Sequence, residues 1–179
     1  NGEKIYAPAV IFNGDLLTHR TNGLPEAMWP DPQRQALSQA QPACSAFMVQ
    51  LGIQGNYADL PEIWHIHDDG GSMSIALTPA PDHDAAPAGY TSLALIKLIA
   101  QNEAGKWMPP AGETLASWRK NPQYLAQKAA YGDQLITRAQ ALIPGLKDKI
   151  VLRIDASPLT FQRYNRAQSG NIYGLDEVR

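Results

Sequence analysis

The stretch Ser45 to Gln54, SAFMVQLGIQ, decides how this chain folds. Its alternating positions place Phe47, Val49 and Leu51 on one side and Ala46, Met48 and Gln50 on the other, and nearly all of them are apolar. A strand with one wet face shows a polar residue at every second position. A run without that alternation belongs in the middle of a sheet with both faces covered. Tyr90 to Ile99, YTSLALIKLI, reads the same way. Two such strands make the sheet the centre of the domain.

Between them, Gly55–Asn56 turns the chain, and two β-rich runs, Ile63 to His67 and Ser72 to Thr78, flank Asp68–Asp69–Gly70–Gly71. That tip is a hairpin signal, because glycine and aspartate tolerate the backbone angles a tight turn needs. Pro79 to Gly89 follows as a proline-rich loop. Upstream, Gly2–Glu3 reads as a hairpin tip and Lys4 to Phe12, KIYAPAVIF, as a strand whose Pro8 confines it to an edge. Asn13–Gly14–Asp15 ends it. Asp31 followed by Pro32 predicts a helix from Pro32 to Ala40, closed by Pro42.

Downstream, Asn102 to Gly112 reads as loop and Thr114 to Lys120 as a short helical lead-in. Asn121–Pro122 repeats the cap-and-proline start, and apolar residues recur at threes and fours through Ile143. The spacing predicts an amphipathic helix over Pro122 to Ile143, packed by its Leu125–Ala129–Ile136–Ile143 side and stopped by Pro144–Gly145. Lys149 to Ala156 is a last strand, and Pro158 to Arg179 reads as loop with short helix. These elements predict one α+β domain over residues 1–179, a mixed, mostly antiparallel sheet with helices packed on one face.

Composition narrows the function classes. The 179 residues carry a formal net charge of −2 without a basic run, which argues against nucleic acid as a partner. Charged residues are 18% and hydrophobic ones 44%, the balance of an ordered domain. The single cysteine, Cys44, lies in an apolar run and reads as a buried structural thiol compatible with a reducing compartment. The chain opens on Asn1–Gly2 and reads as an interior piece of something longer.

Motifs of common chemistries are absent: there is no Gly-x-Gly-x-x-Gly, P-loop, Gly-x-Ser-x-Gly or Cys-x-x-Cys. His65 and His67 fall on one face of a strand, half of what zinc requires, with Asp68, Asp69 and Asp82–His83–Asp84 as distant company. No diagnostic spacing joins them, and the pair reads as a solvated hairpin end or a polar cavity wall, with no metal. Trp29, Trp64, Trp107 and Trp118 read as core or rim. The tail differs. Thr160, Arg163, Tyr164, Tyr173 and Gly174 sit among polar and aromatic residues without periodicity, a makeup suited to function as much as to packing.

The tail ASPLTFQRYNRAQSGNIYGL, Ala156 to Leu175, resembles a segment near the end of the substrate domain in phytoene desaturase-like and carotenoid isomerase-like proteins. Ser157, Pro158, Leu159, Thr160, Arg163 or Tyr164, Gly170, Tyr173 and Gly174 fall on that pattern. LIPGLKDKIVL, ALTPAPDHDAAPAGYTSL, CSAFMVQLGI and GEKIYAPAVIFNGD are similar to further segments of the same proteins in the same order, with Gly14 where alanine is usual.

The resemblance implies the substrate-binding domain of a larger, two-domain FAD-dependent oxidoreductase of the phytoene dehydrogenase and retinol saturase kind. The FAD belongs to the full-length parent, with none held by this chain, which alone is inactive. The parent desaturates, saturates or isomerises double bonds of an apolar polyene or isoprenoid and is cytoplasmic and membrane-peripheral. Thr160, Arg163, Tyr164, Tyr173 and Gly174 are implied to face substrate or flavin; no catalytic residue is assigned. The isolated chain is expected to self-associate through a sheet face left bare. The alternative is a stand-alone lipid- or carotenoid-binding module, or a protein-interaction module without catalysis.

Overall fold

Five strands form the sheet of the computed structural model: β1 Ser45–Gln54, β2 Ile63–Asp68, β3 Gly71–Leu77, β4 Tyr90–Ile99 and β5 Ile150–Ala156. They stand in the order β2-β3-β4-β1-β5, and every neighbouring pair is antiparallel. The structure describes residues 3–9, 11, 13–18, 31–57, 59–77 and 86–176. The helices used below are α1 Asp31–Gln39, α2 Gln101–Ala104, α3 Leu115–Trp118, α4 Pro122–Ala139, α5 Leu146–Lys149 and α6 Pro158–Asn165. The fold is α+β, as the alternation of elements predicts.

One sheet face makes the core. Phe47, Val49, Leu51 and Ile53 of β1, Leu93 and Leu95 of β4, and Met73 and Ile75 of β3 are buried under the helices. Facing them are Tyr124, Leu135, Ile136 and Ala139 of α4, together with Ile143, Leu146 and Leu159. Phe47, Trp107 and Tyr131 form an aromatic knot, with ring centroids 4.7 to 5.4 Å apart.

Three expectations are corrected. Lys4 to Phe12 is not a strand over its described residues, 3–9 and 11. A strand exists only when paired, and none of the five strands pairs with the described residues of that segment. Its Ile5, Tyr6 and Ile11 stand 88% to 96% exposed. Asn102 to Gly112 is not plain loop: α2 and a 3-10 turn at Gly105–Trp107 carry Ala104 and Trp107 into the core. These elements are too short for periodicity to show.

The long helix ends at Ala139, capped by Gln140, short of Ile143. Its buried side runs through Tyr124, Gly132, Leu135, Ile136 and Ala139, whereas Leu125 and Ala129 are exposed. The apolar stripe thus lies about one position away from the expected one. The tail opens with two turns of helix, α6, started by Ser157 and Pro158, the short helix expected there. The hairpin tip at Gly2, the loop at residues 78–85, Asp82–His83–Asp84 and Trp29 lie outside the described residues.

Candidate functional site

The register of the strands maps the second sheet face. One row across it reads His65, Ser74, Ile96, Met48 and Ala156; the next reads Ile63, Ala76, Ala94, Gln50 and Ile154. A third joins Ser92, Gly52 and Leu152, and Leu98 stands opposite Ala46. No formal charge lies on these rows. Among the large side chains, Leu98, Leu152 and Ile154 are more than half exposed, and Met48 and Ile96 are half-buried. Where β1 begins the face closes, and Ala46 is buried.

The charged residues of the strands are Asp68, Lys97, Arg153 and Asp155. All four alternate to the helix side. Asp68 receives Arg138 of α4 at 2.7 Å. Lys97 donates to the Gly70 carbonyl at 2.6 Å. Arg153 pairs with Asp133 of α4 at 2.5 Å and with Asp155 at 2.8 Å. An antiparallel sheet with helices on one side and water on the other normally turns its charges to water. Here the pattern is inverted, and the face that the described helices leave uncovered is the apolar one.

In the middle of that face lies a polar pair. Gln50 donates from Nε2 to the Ser92 hydroxyl at 2.7 Å. At the β2 edge, His65 and His67 share the same face, ring centroids 6.5 Å apart, each holding a serine hydroxyl of β3, Ser74 at 3.0 Å and Ser72 at 2.8 Å. Among the described residues no three His, Cys, Asp or Glu side chains gather as a metal-holding group.

The tail residues separate. Thr160 lies in α6, where its hydroxyl accepts from the Ser157 backbone N–H at 3.2 Å, the reach-back half of a capping box. Arg163 and Tyr164 are on the exposed side of α6, the guanidinium 4.8 Å from the Tyr164 ring centroid. Tyr173 is exposed and lines a cleft of about 1000 Å³ with Gln41, Cys44, Gln101, Gln168 and Asp176. Gly174 adopts a φ of +78° and bridges two segments: its N–H donates to Asn171 Oδ1 at 2.8 Å and its carbonyl accepts from Ala43 N–H at 2.9 Å. The structure therefore brings Tyr173 and Gly174 to the start of β1, and Thr160, Arg163 and Tyr164 to a separate helix.

A hub that the sequence conceals ties the tail down. Asp15 accepts from Thr18 N–H and hydroxyl at 2.8 and 2.7 Å, from Gln168 N–H at 3.3 Å and from the buried Asn171 amide at 3.2 Å. Burial opposes its charge, but the hydrogen bonds from Thr18, Asn171 and Gln168 together outweigh burial and hold the carboxyl below its ordinary value. Gly170 permits the same fold-back: a Cβ there would overlap the Pro158 carbonyl. The partners are some 150 residues apart in sequence, so no local pattern could reveal them. The Gln50–Ser92 pair had a signal, since Gln50 is the polar interruption of an otherwise apolar run.

No helix among the described residues is long and apolar enough to cross a membrane. The sequence matches no protein-family model and no curated protein.

Proposed function

We propose that this chain is the substrate-binding part of an FAD-dependent oxidoreductase acting on double bonds of a polyene or isoprenoid lipid, with the open sheet face as the wall along which the substrate lies. The observation that carries this reading is the inverted sheet: its charges are on the helix side and its uncovered rows are uncharged and largely aliphatic. Such a face suits an apolar occupant, because covering it removes hydrocarbon from water without desolvating any formal charge. The order of segments resembling the phytoene desaturase group supplies the flavin and the substrate class. The exposed apolar side chains of Ile5, Tyr6 and Ile11 add a second surface suited to a further part of the polypeptide.

In this reading the flavin belongs to the parent and supplies the redox chemistry, while this chain positions the substrate and excludes water. The parent is cytoplasmic and peripheral to a membrane. Tyr173 and Gly174 are the tail candidates beside the sheet end; Arg163 and Tyr164 reach substrate or flavin only if the parent folds over α6. The test is the visible spectrum of the full gene product that contains this chain. A flavin spectrum perturbed by added polyene is expected. Polyene binding without flavin would leave the stand-alone carrier in its place, and absence of both would sink the reading.

A further inference from the structure

We infer that the open face selects an elongated apolar ligand carrying one neutral oxygen, a hydroxyl or a carbonyl, and that Gln50 and Ser92 recognise that oxygen. The inference rests on the reading of this face as a binding wall and specifies what the wall prefers.

Gln50 sits mid-row between Ala94 and Ile154, and Ser92 stands in the adjoining row opposite Gly52. Among the described residues, the bond from Gln50 Nε2 to Ser92 Oγ at 2.7 Å is the amide's single hydrogen bond. A glutamine amide has two N–H donors and an acceptor oxygen, and a serine hydroxyl has a proton of its own. One amide N–H, the amide oxygen and the hydroxyl proton are thus left to water. The side chains around the pair are small or aliphatic: Ala94, Ile154 and Gly52 beside it, with Ala76, Met48, Ile96 and Leu152 beyond.

An apolar chain laid over these rows expels that water. A pure hydrocarbon then leaves the amide oxygen and its second N–H unpaired, which costs about tenfold in affinity or more. An alcohol or a carbonyl restores a partner. A carboxylate does not fit, because its charge would be desolvated on rows that hold no cation. Complementarity therefore points to a neutral oxygen on a hydrocarbon frame.

The experiment compares farnesol, the matching hydrocarbon farnesene and farnesoic acid as ligands of the 179-residue chain, read by titration calorimetry. Farnesol is expected to bind about tenfold more tightly than farnesene, and the acid weakest of the three at neutral pH. Gln50→Leu should abolish the preference and bind farnesene at least as well as the parent chain does. Ser92→Ala provides a milder second variant, with denaturation curves confirming that both fold. Equal binding of alcohol and hydrocarbon, or a preference untouched by both variants, would overturn the assignment and leave the apolar wall standing. Failure of all three compounds to bind would remove the wall as well.

Discussion

Gly132 in α4 lies against the guanidinium of Arg153 in β5, so closely that a Cβ on Gly132 would overlap Nη2 and crowd the Asp155 carboxylate. The missing side chain lets the helix approach the sheet edge where Arg153 is held by Asp155, Asp133 and the Ala129 carbonyl. Helix propensity alone would favour alanine at Gly132 by about 0.5–1 kcal/mol. The clash reverses the sign. Gly132→Ala is expected to destabilise the chain by about 1–2 kcal/mol through the displaced guanidinium bonds. In an Arg153→Ala background the same substitution should become neutral or stabilising. Urea denaturation of the four proteins in this cycle measures it, and a stabilised Gly132→Ala single variant would refute the close approach.

The side of α4 that meets the sheet gives a second contrast. Ile136 is 2% exposed and Leu125 is 48% exposed. Truncating a buried isoleucine to alanine removes contacts and leaves a cavity, so Ile136→Ala should cost about 2–5 kcal/mol. Leu125→Ala should stay within about 0.5 kcal/mol. Comparable losses from the two, in the same denaturation assay, would mean that the helix is rotated from the orientation described.

The contrast also shows what was legible in the sequence. β1 and β4 run from Ser45 to Gln54 and from Tyr90 to Ile99, the bounds that their continuous apolar runs predict. The helix start at Asn121–Pro122 is equally plain. Which stripe of α4 is buried depends on its neighbours, and Leu125 and Leu135 look alike until the sheet is in place. The inward placement of Lys97, Arg153 and Asp155 was hidden for a related reason. Lys97 is one charge in an apolar strand, and Arg153 and Asp155 share a side of β5 by alternation, but only the pairing of β1 with β4 and β5 puts all three on a common side. Ser157–Pro158 with Thr160 is a readable helix start, masked by the polar residues that follow. The Asp15–Asn171 bond joins the two ends of the described chain and has no local signature.

Asp15 makes the anchoring of the tail dependent on pH. Its folded value is depressed below the ordinary carboxylate value, by hydrogen bonds that outweigh the effect of burial. The stability it contributes is therefore fully present above the ordinary value, near 4, and is lost as pH falls through the depressed one. Asp68 is depressed too, burial opposing and Arg138 favouring its charge, and it adds to the same acid limb. The comparison is thus between the parent chain and Asp15→Asn. The variant should be less stable at neutral pH and lose less stability between about pH 5 and pH 3. Melting curves across that range test it; parallel curves for the two proteins would exclude Asp15 as the anchor.

The inverted sheet governs how the isolated chain behaves in water. Folded monomers seldom leave large contiguous apolar patches uncovered, and the rows through Ile96, Met48, Ile154 and Leu152 expose aliphatic side chains without a formal charge among them. The Asn102–Gly112 segment does not close this face, since Trp107 packs on the opposite one against Phe47. Leu98, Leu152 and Ile154 stay more than half exposed on this face, which offers a surface to a hydrophobic dye or to the same face of a second copy. Dye fluorescence and concentration-dependent association are expected together, because both draw on the same surface. Ile154→Lys places a charge in the middle of the patch at a side chain already 57% exposed, so its effect on folding should stay within about 0.5 kcal/mol. Association should fall sharply, because pairing would then bury an unpaired ammonium, and dye emission should fall with it. Sedimentation at several concentrations, with dye fluorescence on the same samples, measures both. A parent chain that is strictly monomeric and dark to the dye would mean that this face is closed in solution, and a wall for substrate could not be drawn from it.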